Sequence, residues 1–169
     1  MKILRYNVYN IPTLIEIISK NYGIDENTIK INVKNSINTL VKSKAIHEIL
    51  YNSDRLYFGK TLDSSNLSLF HKFLENQVLD ILTELGIRIN IIANKGQELP
   101  DITTPKFNIE IETGLKHDLT DLEKRTSSGN KHNIIVIPDK SLFKKYESLK
   151  NSEIIQINEL KEFLAKNYN

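Results

Sequence analysis

Apolar residues in the first sixty positions recur at helical spacing and then at strand spacing. Asn10-Ile11-Pro12 offers a capping side chain and a proline suited to a first turn. Leu14, Ile15, Ile17, Ile18 and Tyr22 then mark one helical face until Gly23 stops the run. A short second element is expected over 25–30. A third, over 32–44, sets Val33, Ile37, Leu40 and Val41 on one face and Lys34, Asn35, Asn38, Thr39 and Lys42 on the other. Two strand-like runs, 45–51 and 55–59, flank the turn Asn52-Ser53-Asp54 and predict a hairpin.

Residues 61–66 are polar and aperiodic, as expected of a linker between a domain over 1–60 and a second over 67–169. A long helix over 67–85 carries the stripe Leu74, Val78, Leu82 and Leu85, with Glu75 at its border. Strands are expected over 87–93, at Pro100-Asp101-Ile102 and over 107–113. A helix over 118–126, a strand over 133–137, a helix over 141–149, a strand over 154–157 and a helix over 159–166 complete the chain. Adjacent strands followed by alternating helices and strands predict an α/β domain built on a mixed sheet flanked by helices.

Composition narrows the function classes. The longest apolar runs, such as Ile134-Ile135-Val136-Ile137, are strand length and far short of the roughly 20 residues of a spanning helix, so no membrane partner is expected. Cysteine is absent, which excludes disulfides and thiolate metal sites and is simplest to read as intracellular. Residues 1–60 carry a net charge of +4 and residues 61–169 a net charge of −2, so the N-terminal part is the one suited to a polyanion.

The C-terminal part holds the candidate chemistry. Phe107, Ile109 and Ile111 alternate with Asn108, Glu110 and Glu112, so a strand here buries one face and presents two carboxylates side by side on the other. Like charges so placed repel, and with Asp101 nearby the arrangement reads as a divalent-metal site. His71, His117 and His132 show no metal-ligand spacing, and no glycine-rich phosphate loop is present.

Helices followed by a two-stranded wing resemble a winged helix-turn-helix domain over nearly all of residues 1–60. The resemblance implies DNA as partner, with Lys34, Asn38 and Lys42 on the recognition helix and Arg55 at the wing. Residues 67–157 resemble the PD-(D/E)xK, or restriction-endonuclease-like, nuclease superfamily. Glu75 matches its helix acid, Asp101 the acid of its Pro-Asp, and Glu110 the acid of its third-strand motif. Glu112 stands where that motif has lysine.

The resemblance implies Mg²⁺ or Mn²⁺ held by Asp101, Glu110 and the Ile111 carbonyl, with Glu75 completing the shell and Glu112 as metal or water ligand. The missing positive charge is expected from Lys116 or Lys124, with Arg125 also able to reach back over the site. The implied activity is metal-dependent DNA endonuclease, acting as a homodimer because duplex cutting needs two sites or one acting twice. The alternative is a DNA-binding regulator, or an adaptor of a mobile-element or replication complex, that keeps an inactive nuclease-like domain.

Overall fold

The computed structural model describes residues 8–51, 54–59, 66–93, 99–114, 119–126 and 131–168. The chain divides into two compact units, Met1–Phe73 and Leu74–Asn169. The expected linker, 61–66, lies outside the described residues except for Asn66, which opens a helix.

In the first unit, the Asn10 side chain accepts a 3.0 Å hydrogen bond from the Thr13 amide and so caps α1 (Ile11–Tyr22). Pro12 falls in the first turn, where an N–H has no intrahelical acceptor. Gly23 leaves the helix at φ 64°, a left-handed conformation that glycine adopts without a Cβ penalty. Asp25 at once caps α2 (Glu26–Lys42) through the Thr28 amide, at 3.0 Å. The expected elements at 25–30 and 32–44 are therefore one helix. Ile29, Val33 and Ile37 form one unbroken buried stripe along it, and neither glycine nor proline interrupts it.

Two helices joined by Gly23-Ile24-Asp25 thus replace the three expected. They pack Leu14, Ile15, Ile29, Val33 and Ile37 with Tyr9, Ile46 and Tyr57 into one core. The last three belong to β1 (Val8–Tyr9), β2 (Ile46–Tyr51) and β3 (Asp54–Gly59), an antiparallel sheet of order β1-β3-β2.

The division between units falls inside α3 (Asn66–Glu84). The second unit carries a five-stranded mixed sheet of order β4-β5-β6-β7-β8. Its strands are β4 (Ile91–Ile92), β5 (Ile102–Thr103), β6 (Phe107–Ile111), β7 (His132–Ile137) and β8 (Ser152–Gln156). The first two pairings are antiparallel and the last two parallel. The crossovers carry α4 (Leu119–Thr126) and, after a 3-10 turn at Lys140–Leu142, α5 (Phe143–Tyr146); α6 (Leu160–Asn167) follows β8.

Two expected elements shrink. The strand expected over 87–93 contracts to β4, because the Ile87 amide still serves the end of α3 by bonding the Leu82 carbonyl at 2.8 Å. The helix expected over 141–149 splits, because Asp139 caps the Ser141 amide in a 3-10 turn first.

Both faces of the sheet are covered. Leu122, Tyr146 and Leu149 pack on Ile135 and Ile137 from one side. Phe163 and Tyr168 meet Phe107 from the other, at ring-centroid separations of 6.4 and 6.1 Å. All of β6 is consequently buried, so the strand buries both faces where one was expected, and Glu110 and Glu112 lie inside. The same strand holds a buried amide ladder. Asn108 Nδ2 donates to Asn133 Oδ1 at 3.1 Å, and Asn133 Nδ2 donates to the Asn151 carbonyl at 3.2 Å. Among the described residues no helix is long and apolar enough to cross a membrane.

Candidate functional site

A tight turn sets the geometry. Thr104 and Phe107 exchange hydrogen bonds across Pro105-Lys106, with the Thr104 amide on the Phe107 carbonyl at 2.8 Å and the Phe107 amide on Thr104 Oγ1 at 2.9 Å. This turn fixes the register Ile102 to Ile109 and brings Asp101 beside the far end of β6. There Asp101 Oδ2 accepts the Ile111 amide at 2.7 Å, a side chain taking the place of the next backbone acceptor. On the other flank the Glu112 amide continues the ladder to the Val136 carbonyl at 2.9 Å.

Glu110 and Glu112 share one face of the strand and are 1% and 2% exposed. Arg125, from the last turn of α4, answers both. Its Nη1 lies 3.2 Å from Glu110 Oε2 and its Nη2 3.9 Å from Glu112 Oε1, with the side chain 17% exposed. Tyr146 of α5 donates its hydroxyl to Glu112 Oε2 at 2.9 Å. Past Glu112 the chain turns at Gly114, φ 85°, whose carbonyl accepts from Lys145 Nζ at 2.7 Å. A Cβ at Gly114 would lie 2.7 Å from Leu142 Cδ2, so this turn is tight as well as left-handed.

Burial is the main reason that the Glu110 carboxyl is pushed up to about 9, followed by the negative charge of Asp101; Arg125 opposes both. Glu110 Oε1 is buried with no hydrogen-bond partner. Burial next to the charge of Asp101 therefore favours the protonated form of Glu110. The Tyr146 phenol is pushed well above its ordinary range by burial and by the Glu112 carboxylate it serves.

Of the residues expected from sequence, Asp101, Glu110, Glu112 and Arg125 come together, and the Ile111 backbone lies among them. Lys124 faces away, 73% exposed and 3.3 Å from Asp121. Glu75 is half-buried on α3, and Lys116 lies outside the described residues. Sequence reasoning missed Tyr146 and Lys145; the only hint was an aromatic three residues after Phe143 in the segment Phe143-Lys144-Lys145-Tyr146.

The donor set fits a hard divalent cation. Among the described residues no three acidic or histidine side chains form a ready cage, and Glu112 is engaged by Tyr146 and Arg125. Asp101 and Glu110 offer carboxylate oxygens, the donor type that Mg²⁺ takes, and Glu110 Oε1 has no hydrogen-bond partner.

In the first unit Lys34, Asn38 and Lys42 are exposed along α2. Arg55 on β3 is paired with Glu48 on β2. Comparison of the chain with protein-family models, with curated proteins and with solved structures returns no match in any of the three.

Proposed function

We propose that this protein is a metal-dependent deoxyribonuclease, with a winged-helix-like N-terminal unit that engages duplex DNA and a restriction-endonuclease-like C-terminal unit that hydrolyses a phosphodiester bond. The observation that carries the reading is the buried Glu110 on a central strand, its Oε1 unpartnered beside Asp101. Asp101 and Glu110, with the Ile111 carbonyl, would hold Mg²⁺ or Mn²⁺. Such a cation supplies Lewis-acid stabilisation of the phosphoryl oxygens and a lowered pKa for water.

The chain's own residues do the rest. Arg125 supplies the positive charge that lysine gives elsewhere in this superfamily, and it holds the two carboxylates of β6 apart in a fixed fork. Tyr146 fixes Glu112 so that its Oε1 accepts the proton of the attacking water. Water and a phosphodiester then give a phosphomonoester and a free hydroxyl end. Two copies of the chain, or two successive cuts by one, sever a duplex.

A second reading has an observation in its favour. Arg125 and Tyr146 already satisfy much of the acidic pair, as in a polar network that serves only stability, and the chain would then be a DNA-binding regulator with an inactive nuclease-like unit. Linear, single-stranded, flapped and branched DNA incubated with Mg²⁺ or Mn²⁺ separates the two. Cleavage lost in Asp101→Ala, with its circular dichroism unchanged, supports the nuclease. Retention of DNA with no cut in any substrate supports the regulator.

A further inference from the structure

The exposed face of α2 has a composition that phosphate binding alone does not account for. At about 100° per residue, Asn27, Ile31, Lys34, Asn35, Asn38 and Lys42 fall within an arc of roughly 100°, opposite the buried stripe Ile29, Val33 and Ile37. All six are exposed, and no carboxylate lies among them. The one acid of the helix, Glu26, is in its first turn, where the helix dipole favours it. Ile31 is the anomaly. It is 68% exposed in the middle of this face, whereas a solvated helix face ordinarily carries polar residues there.

We infer that α2 reads A·T base pairs in the major groove, with Ile31 against thymine methyl groups and the asparagines on adenine. The inference rests on the DNA-engaging role proposed for the first unit. Its chemistry is specific: asparagine pairs bidentately with adenine N6 and N7, apolar side chains meet the thymine C5-methyl, and guanine is read chiefly by arginine or lysine. Lysine also serves as a phosphate contact, and Lys34 and Lys42 supply that charge beside the asparagines. The helix contains no arginine. A face of three asparagines and one isoleucine, without arginine or acid, thus matches adenine and thymine on both sides of the pair.

The test uses the full chain in chelator, so that no DNA is cut, at one fixed salt concentration. Fluorescence anisotropy compares an A·T-rich duplex, a G·C-rich duplex, and the A·T-rich duplex with every thymine replaced by uracil. The expected result is binding at least about tenfold tighter to the A·T-rich than to the G·C-rich duplex, and a severalfold loss on uracil replacement. Ile31→Ala is expected to erase the difference between thymine and uracil duplexes. Asn38→Ala narrows the preference for A·T, while Lys34→Ala weakens all three duplexes alike.

Ile31 and Asn38 are exposed, so these variants leave the core intact. Equal binding to the A·T-rich and G·C-rich duplexes, or an unchanged response to uracil in Ile31→Ala, overturns the base preference and leaves DNA engagement standing. Binding to none of the duplexes overturns both.

Discussion

Replacing Glu110 by glutamine tests the site without cutting any DNA. In the folded chain burial and Asp101 raise the Glu110 carboxyl from 4.5 to about 9. Between those values the folded protein keeps a proton that the unfolded chain has released. The stability linked to Glu110 is therefore full below about pH 4.5 and is lost as pH rises towards 9. One proton sets a slope of a little over 1 kcal/mol per pH unit, or on the order of 3 kcal/mol between pH 6 and pH 8. Glu110 is only 1% exposed, so solvent screening takes little from this figure.

Glutamine has the shape of the protonated acid and no charge to lose, so Glu110→Gln removes the slope. Urea denaturation followed by circular dichroism at pH 6, 7 and 8 in chelator reads it, and subtracting variant from wild type cancels the other titrating groups. The variant is expected to gain on the order of 3 kcal/mol on the wild type over this range. Mg²⁺ at a hundred times its Kd, added at pH 8, restores about 2.7 kcal/mol to the wild type and nothing to the variant. Parallel pH profiles for the two proteins would refute the raised Glu110 carboxyl, and equal stabilisation by Mg²⁺ would remove Glu110 from the cation site.

Three other changes probe the frame of the site. Arg125→Met takes the guanidinium from the buried Glu112 carboxylate and from the Glu110 carboxyl and costs about 3 kcal/mol at pH 8 by urea denaturation, with Arg125→Lys recovering only part because it lacks the fork. Tyr146→Phe leaves Glu112 Oε2 short of its donor, costs about 1–3 kcal/mol, and lowers kcat of any cleavage more than it changes KM. Gly114→Ala forces a Cβ at φ 85° against Leu142 and costs about 1–3 kcal/mol by thermal denaturation; adding Leu142→Ala relieves the clash but not the strained backbone, so rescue is partial.

Local signals were legible where one residue decides a local conformation. Asn10 and Gly23 bound α1, and the strict alternation of 107–112 is a strand. The α/β class and the mixed sheet were readable for the same reason. What failed needs the third dimension. Period two shows that β6 has two faces, one of them acidic, but not that α4 and α5 bury it. Lys124 and Arg125 are adjacent in sequence but about 100° apart around a helix, and only the docking of Leu122 decides which one faces the acids. The boundary expected between 30 and 32 falls inside α2, where the stripe Ile29, Val33 and Ile37 runs through without a break.

The amide ladder across β6, β7 and β8 bears on how the chain is made. The last four residues of β7 are all isoleucine or valine, so neighbouring registers of the sheet would bury similar aliphatic surface. The pairing of Asn108 with Asn133, and of Asn133 with the Asn151 carbonyl, penalises a slip by leaving two amides buried and unpaired. That lock closes when Asn151 arrives, well after β7 has been synthesised. At about 5–20 residues per second, a ribosome holds an unlocked, aggregation-prone strand for a second or more. Synthesis of this protein therefore carries a short interval of vulnerability, and fragments ending before β8 would carry it permanently.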